Sequence, residues 1–239
     1  MIDLDRLVIF FFVFAVLGTA VDLKTSSAGT NIKSQRQTPL EESRFATING
    51  VRIHYVNYGQ GPRAIVLIHG WTCNLHNWQN QWPDFAKHSR VIAIDLPGHG
   101  QSDKRPAKYS MNLFAISVDA VLRDAKVSHA ILVGHSMGTL VAREFYRKYP
   151  AKTLGLVDVD CPLSPTWNQS SMKRTITSLR GSHFRETLTQ MFAAMIGPNM
   201  PDEAKQQIMS SSLNTPQYVV VSALEGMVCK PPAITPTSY

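Results

Sequence analysis

From residue 45 onward the chain alternates short apolar runs with amphipathic stretches. Residues 45–48 and 51–58 are apolar-polar alternations separated by Asn49-Gly50. Both of those residues tolerate positive φ, so the pattern predicts a two-residue β-hairpin. Residues 64–68 (AIVLI), 91–94 (VIAI), 130–133 (AILV) and 154–159 (LGLVDV) are nearly unbroken apolar runs. Strands covered on both faces read this way. Ser110 is placed to cap a helix whose apolar positions include Leu113, Ile116, Val118, Val121 and Leu122. In residues 137–148, Leu140, Val141 and Phe145 share one side while Arg143, Glu144, Arg147 and Lys148 lie mostly on the other, and Pro150 stops the helix. Buried strands alternating with helices predict an α/β fold: a mostly parallel central sheet with flanking helices and right-handed crossovers.

The pattern changes after Pro162. Helical stretches follow at about 171–180, 184–196 and 202–211. A further apolar run at 218–227 begins with a segment, 218–221, that suits a strand or a helix; it is assigned to a helix. Together these stretches predict a helical cap over one end of the sheet. Met191, Phe192, Met195, Ile196 and Met200 fit either an apolar substrate group or ordinary packing of cap on sheet.

The amino end has a different character. Residues 7–21 (LVIFFFVFAVLGTAV) form an apolar run shorter than the roughly 20 residues of a spanning helix. Gly18 and Ala20 stand at small-x-small positions before Val21, as at a signal-peptide cleavage site, although Asp3 and Asp5 accompany Arg6 in front of the run. The expected organisation is a signal peptide or membrane anchor at 1–20, a flexible leader at 21–44, the α/β core at 45–161, the cap at 162–230 and a tail at 231–239. An exported location follows, secreted or periplasmic, or anchored through the amino-terminal segment.

Composition narrows the classes. With 239 residues, 44% hydrophobic and 17% charged, the chain is globular in composition, and a mean hydropathy of −0.09 is too low for several membrane spans. Lys and Arg outnumber Asp and Glu by 24 to 17, a net charge of +7, but they are scattered without aromatic interleaving. Nucleic acid is therefore not an expected partner. Cys73, Cys161 and Cys229 lack metal-ligand spacing, and no dinucleotide or phosphate loop is present, so neither metal nor cofactor is implied.

The chemistry concentrates at Gly134-His135-Ser136-Met137-Gly138, between a predicted strand and a predicted helix. There the chain must reverse sharply and hold the serine in a strained conformation, and the flanking glycines remove side chains that would collide with the neighbouring strand and helix. The N–H of Met137 falls at a helix start, where donors are free and the dipole favours an anion. His69-Gly70-Trp71 follows the strand at 64–68. Its loop reaches the same sheet edge, which makes the N–H of Trp71 the partner donor for an oxyanion. His69 is expected to fix that loop.

These two segments and Asp95-Leu96-Pro97-Gly98-His99-Gly100-Gln101-Ser102 occur in an order that resembles the α/β-hydrolase fold family, most nearly its small carboxylesterases. The resemblance covers about residues 44–161, and more weakly the cap. It implies a serine hydrolase that cleaves small-molecule carboxylic esters through an acyl-enzyme, with Ser136 as nucleophile, Trp71 and Met137 as oxyanion donors, and His69, Gly70, Gly134, His135 and Gly138 shaping the site. Epoxide hydrolases and haloalkane dehalogenases of the family carry Asp at the elbow position, which Ser136 disfavours.

The family's acid and histidine follow in the chain order Ser, acid, His. Here the last histidine is His183, in the cap, and no Asp or His follows residue 230. The resemblance thus implies a carboxyl-terminally incomplete member lacking its last strands, or a non-catalytic descendant that keeps the pocket for ligand binding. Asp160, at the end of the strand 154–159, is the candidate acid, with a purely structural role as the alternative; His183 is the least unsuitable substitute base. Oligomeric state is open.

Overall fold

A computed structural model describes residues 41–161 and 169–228. The expected signal or anchor and most of the leader lie outside these residues, as do 162–168 and the tail. Among the described residues no helix is long and apolar enough to cross a membrane.

The hairpin forms from β1 (Glu41–Ile48) and β2 (Val51–Tyr58), with Ile48 opposite Val51. Asn49 and Gly50 take φ of 49° and 75°, the doubly positive turn that their side chains permit. β1 begins four residues earlier than the predicted core. Glu41–Arg44 read as leader because they are polar, yet the main-chain ladder with β2 continues through them. The Tyr58 hydroxyl donates to Glu41 at 2.6 Å, and their exposure suits an outer strand.

Among the described residues four further strands join the sheet: β3 (Arg63–Ile68), β4 (Val91–Ile94), β5 (His129–His135) and β6 (Thr153–Val159), in the order β1-β2-β4-β3-β5-β6. The β4-β3-β5-β6 portion is parallel and the hairpin joins it antiparallel through β2. From β3 the chain crosses to β4 on one side, and from β5 to β6 on the other. The carboxyl ends of β3 and β5 therefore flank the switch point, the place where open α/β sheets bind their ligands. β6 was expected to be buried; it is half-buried along its length because β5 is its sole strand neighbour among the described residues.

On one face of the sheet, α2 (Met111–Asp124) and α3 (Met137–Lys148) pack on Val66, Ile68, Ile92, Ile94 and Leu132. Ser110 caps α2 by accepting the Leu113 N–H at 3.2 Å. On the other face, Trp78 and Trp82, the latter opening α1 (Trp82–Ala86), cover Leu67, Ala93 and Val133.

Among the described residues the segment expected as a cap holds four helices: α4 (Gln169–Arg180), α5 (Phe184–Met195), α6 (Asp202–Asn214) and α7 (Gln217–Val228). The segment 218–221 is helical, as assigned. α7 buries Val219, Val220, Val221, Ala223, Leu224 and Met227. It approaches the body so closely that a Cβ at Gly226 would lie 2.6 Å from the carbonyl oxygen of Tyr109.

Candidate active site

Ser136 joins β5 to α3 with φ of 50° and ψ of −116°, a conformation that costs a non-glycine residue roughly 1–3 kcal/mol. Contacts on both sides hold it there. Its N–H donates to Val159 of β6 at 3.0 Å, and its carbonyl accepts the Thr139 N–H at 3.0 Å. The two flanking glycines are obligatory. A Cβ at Gly134 would sit 2.4 Å from the Gly138 carbonyl carbon, and one at Gly138 would sit 2.2 Å from the Ile68 carbonyl oxygen. The strand, the elbow and the helix are thus in main-chain contact, and no side chain fits between them.

Gly70 brings the loop after β3 against this elbow: a Cβ on it would lie 3.0 Å from His135 Nδ1 and 3.4 Å from Ser136 Cβ. Trp71 follows, and its ring is held by the cap. The indole N–H donates to Val220 of α7 at 2.9 Å, and the ring stacks on Phe192 of α5 at 6.1 Å. Thr72 is fully buried at φ 58°, its hydroxyl 2.9 Å from that of Ser212 on α6. Sequence reading found Trp71 but neither Thr72 nor its cap partners, because nothing in a Thr marks a left-handed backbone.

Two histidines near the elbow, His69 and His99, are engaged by main-chain groups. His69 Nε2 accepts the Leu96 N–H at 3.0 Å, so its proton sits on Nδ1 and goes to the Gly70 carbonyl at 2.7 Å. His69 ties two loops together, as a structural residue would. Burial pushes its pKa below the ordinary range. His99 donates from Nδ1 to the Pro97 carbonyl at 2.9 Å, and burial pulls its pKa down to about 3. His135 is also lowered by burial, against the opposing charge of Asp160. Asp160 stands exposed just past β6 at φ 50°, close enough for His135 to feel its charge. His183 points into solvent, 83% exposed and 3.6 Å from Glu186, which does not suit a base for Ser136. Among the described residues no imidazole hydrogen-bonds Ser136.

The Asp95–Ser102 loop is built around its first carboxylate. Asp95 accepts the Leu75 and Gln101 N–H groups at 2.8 and 2.9 Å and meets His54 Nδ1 at 2.7 Å. Burial raises its pKa, but the hydrogen bonds from His54, Gln101 and Leu75 outweigh that and hold the carboxyl below the ordinary range. Gly100 must be glycine, since a Cβ there would lie 2.1 Å from this carboxyl carbon.

Cys73 is a buried thiol, Cys161 is half-buried, and Cys229 lies outside the described residues. Burial drives the Cys73 pKa up to about 12 and raises that of Cys161, so neither offers a thiolate near neutral pH. No group of side chains able to hold a metal occurs among the described residues. A cavity of about 480 Å³, lined by polar residues, lies between Asn74, Gln101 and α6, and Ser136 is not among its lining residues.

Comparison with known proteins agrees with this geometry. A family model described as alpha/beta hydrolase fold matches residues 63–173. The chain is 32% identical over 167 residues to "Epoxide hydrolase 1" of Caenorhabditis elegans, covering 67% of this chain and 40% of that protein. It is 34% identical over 113 residues to the dihydrolipoyllysine-residue acetyltransferase component of the acetoin cleaving system of Cupriavidus necator, covering 47% and 30%. The matched stretch thus spans well under half of these relatives' length. Among solved structures, the esterase RhEst1 from Rhodococcus sp. ECU1013 superposes with a TM-score of 0.66 at 27% identity, covering 76% of this chain and 72% of that one. A bromoperoxidase from Bacillus anthracis reaches 0.71 at 18% identity, covering 77% and 73%, a likeness of fold alone. On its sheet order, its elbow and these matches, the chain belongs to the α/β-hydrolase fold family.

Proposed function

We propose that the protein is a serine hydrolase acting on small carboxylic esters, with Ser136 as nucleophile. The observation that carries this reading is the strained Ser136 at the switch point, enclosed by Gly134, Gly138 and Gly70. The serine oxygen attacks the ester carbonyl, the alcohol leaves, and water releases the acid from the acyl-enzyme. The N–H groups of Trp71 and Met137 are the proposed oxyanion donors; Met137 opens α3, where main-chain donors have no helical partner. A serine at the elbow favours acyl transfer over epoxide opening, for which the family uses Asp. Asp160 is the proposed acid, supported by its place beyond β6 and its charge beside His135.

The commitments of His69, His99 and His183 favour a second reading, a pocket that binds ligand without turnover. One experiment separates the two. A fluorophosphonate probe and p-nitrophenyl acetate are offered to the purified protein and to Ser136→Ala. An adduct mapped to Ser136, with turnover lost in the variant, supports the hydrolase. Absence of both sinks it and leaves the binding reading.

An exported setting is proposed on the apolar run at 7–21. Amino-terminal sequencing of secreted protein should then begin at Val21, and recovery of intact Met1 in the cytosol would overturn it.

A further inference from the structure

The hairpin and the loop after β4 together place a serine, an imidazole and a carboxylate in one hydrogen-bonded row, and the elbow uses none of them. Asp95 and His54 are each 2% exposed, with Asp95 Oδ2 2.7 Å from His54 Nδ1. An ionised carboxylate only accepts, so Nδ1 carries a proton toward Asp95, and in the neutral form of the ring Nε2 is left as an acceptor. Ser43 Oγ lies 2.9 Å from that Nε2, and its hydroxyl must donate. Ser43 is exposed, so the row opens to solvent at the serine oxygen.

The register builds this row. Phe45 pairs with His54 and Ser43 with Val56, which makes Ser43 and His54 diagonal neighbours on one face of the hairpin. The His54 main chain is held on both sides: its main-chain N–H donates to Ser102 Oγ at 2.8 Å, and its carbonyl accepts the Asp95 N–H at 3.0 Å. This is the hydrogen-bond order that makes a serine hydroxyl nucleophilic, base beside hydroxyl and carboxylate behind base.

We propose that Ser43 is a second nucleophilic serine, a site of covalent modification by small acyl and phosphonyl electrophiles, independent of the reading of Ser136. Ser43 Oγ bonds to the electrophilic carbon or phosphorus while its proton passes to His54 Nε2. The bond to the alkoxide or fluoride breaks, and that group departs with the proton as alcohol or hydrogen fluoride. The serine ester remains. Arg52, which stands opposite Thr47 on this face, is engaged by Asp103 at 3.2 Å and lies over the Phe45 ring, so it does not serve as an oxyanion donor. Each missing donor costs about 10²–10³ in rate, so modification is stoichiometric and slow, without turnover.

The test uses the full chain, the Ser136→Ala variant, and two surface cysteines. A fluorophosphonate should leave an adduct on the peptide containing Ser43 in both the parent and Ser136→Ala. Ser43→Cys should alkylate with iodoacetamide roughly 10-fold or more faster than Thr47→Cys, which occupies the same exposed face but not the position that hydrogen-bonds His54 Nε2. Equal alkylation of the two cysteines, or an adduct confined to Ser136, overturns the proposal. An adduct at Ser136 alone would leave the elbow reading standing, and one at Ser43 alone would leave only the present inference.

Discussion

The indole of Trp71 donates to the main-chain oxygen of Val220 at 2.9 Å, and so ties the loop beside Ser136 to a cap helix. The neighbouring Thr72 is tied to the cap as well, through Ser212. The conformation of the proposed oxyanion loop therefore depends on where the cap sits.

Trp71→Phe removes the donor and keeps a ring to stack on Phe192. It should cost about 1 kcal/mol in urea unfolding. Trp71→Ala loses the stack too and should cost about 2–3 kcal/mol. If the Phe variant unfolds at the parental midpoint, the indole bond does not hold the loop.

The elbow predicts opposite outcomes at two neighbouring positions. Ser136→Gly should raise stability by about 1 kcal/mol over Ser136→Ala, because glycine adopts positive φ without strain. Gly138→Ala should lose more than about 3 kcal/mol, since its Cβ meets the Ile68 carbonyl at 2.2 Å. Denaturant midpoints of the three variants decide this; a Ser136→Gly protein no more stable than Ser136→Ala would mean the elbow stores no strain.

Stability should fall with acid from a pH well above the carboxylate range. His99 is lowered from 6.5 to about 3 in the folded protein. Between those values the unfolded chain binds a proton that the folded chain refuses. Its contribution is complete above 6.5 and is lost as pH falls toward 3, with a slope of up to about 1.4 kcal/mol per unit. His69 shifts in the same direction and steepens the loss. Urea midpoints from pH 4 to 7 should rise and then level, and His99→Phe should flatten the rise. An unchanged slope in that variant would contradict the assignment.

Much of this was legible in the sequence where one residue type answers one local constraint. Asn49-Gly50 announced its turn, and Gly134 and Gly138 announced an elbow, because few residues satisfy positive φ or such close approach. The strand at Glu41–Arg44 was not legible, since an exposed edge is stabilised by main-chain pairing and leaves no apolar trace. The anchoring of Thr72 by Ser212 and the row from Ser43 to Asp95 depend on register and on contacts distant in sequence. Spacing along the chain carries neither.

The cap is not uniform in how it is attached. α7 sinks six apolar side chains into the body, whereas the buried side chains of α6 are Ser211 and Ser212. Glu203, Gln207, Ser210, Ser211 and Asn214 of α6 line the polar cavity, spaced as one stripe of a helix turned inward. A helix seated over such a cavity has less apolar contact to break when it lifts. Amide hydrogen exchange should show α6 opening well before α7, so the cap behaves as a hinged leaf on a fixed post. Equal protection of the two helices would show instead that the cap opens as one piece.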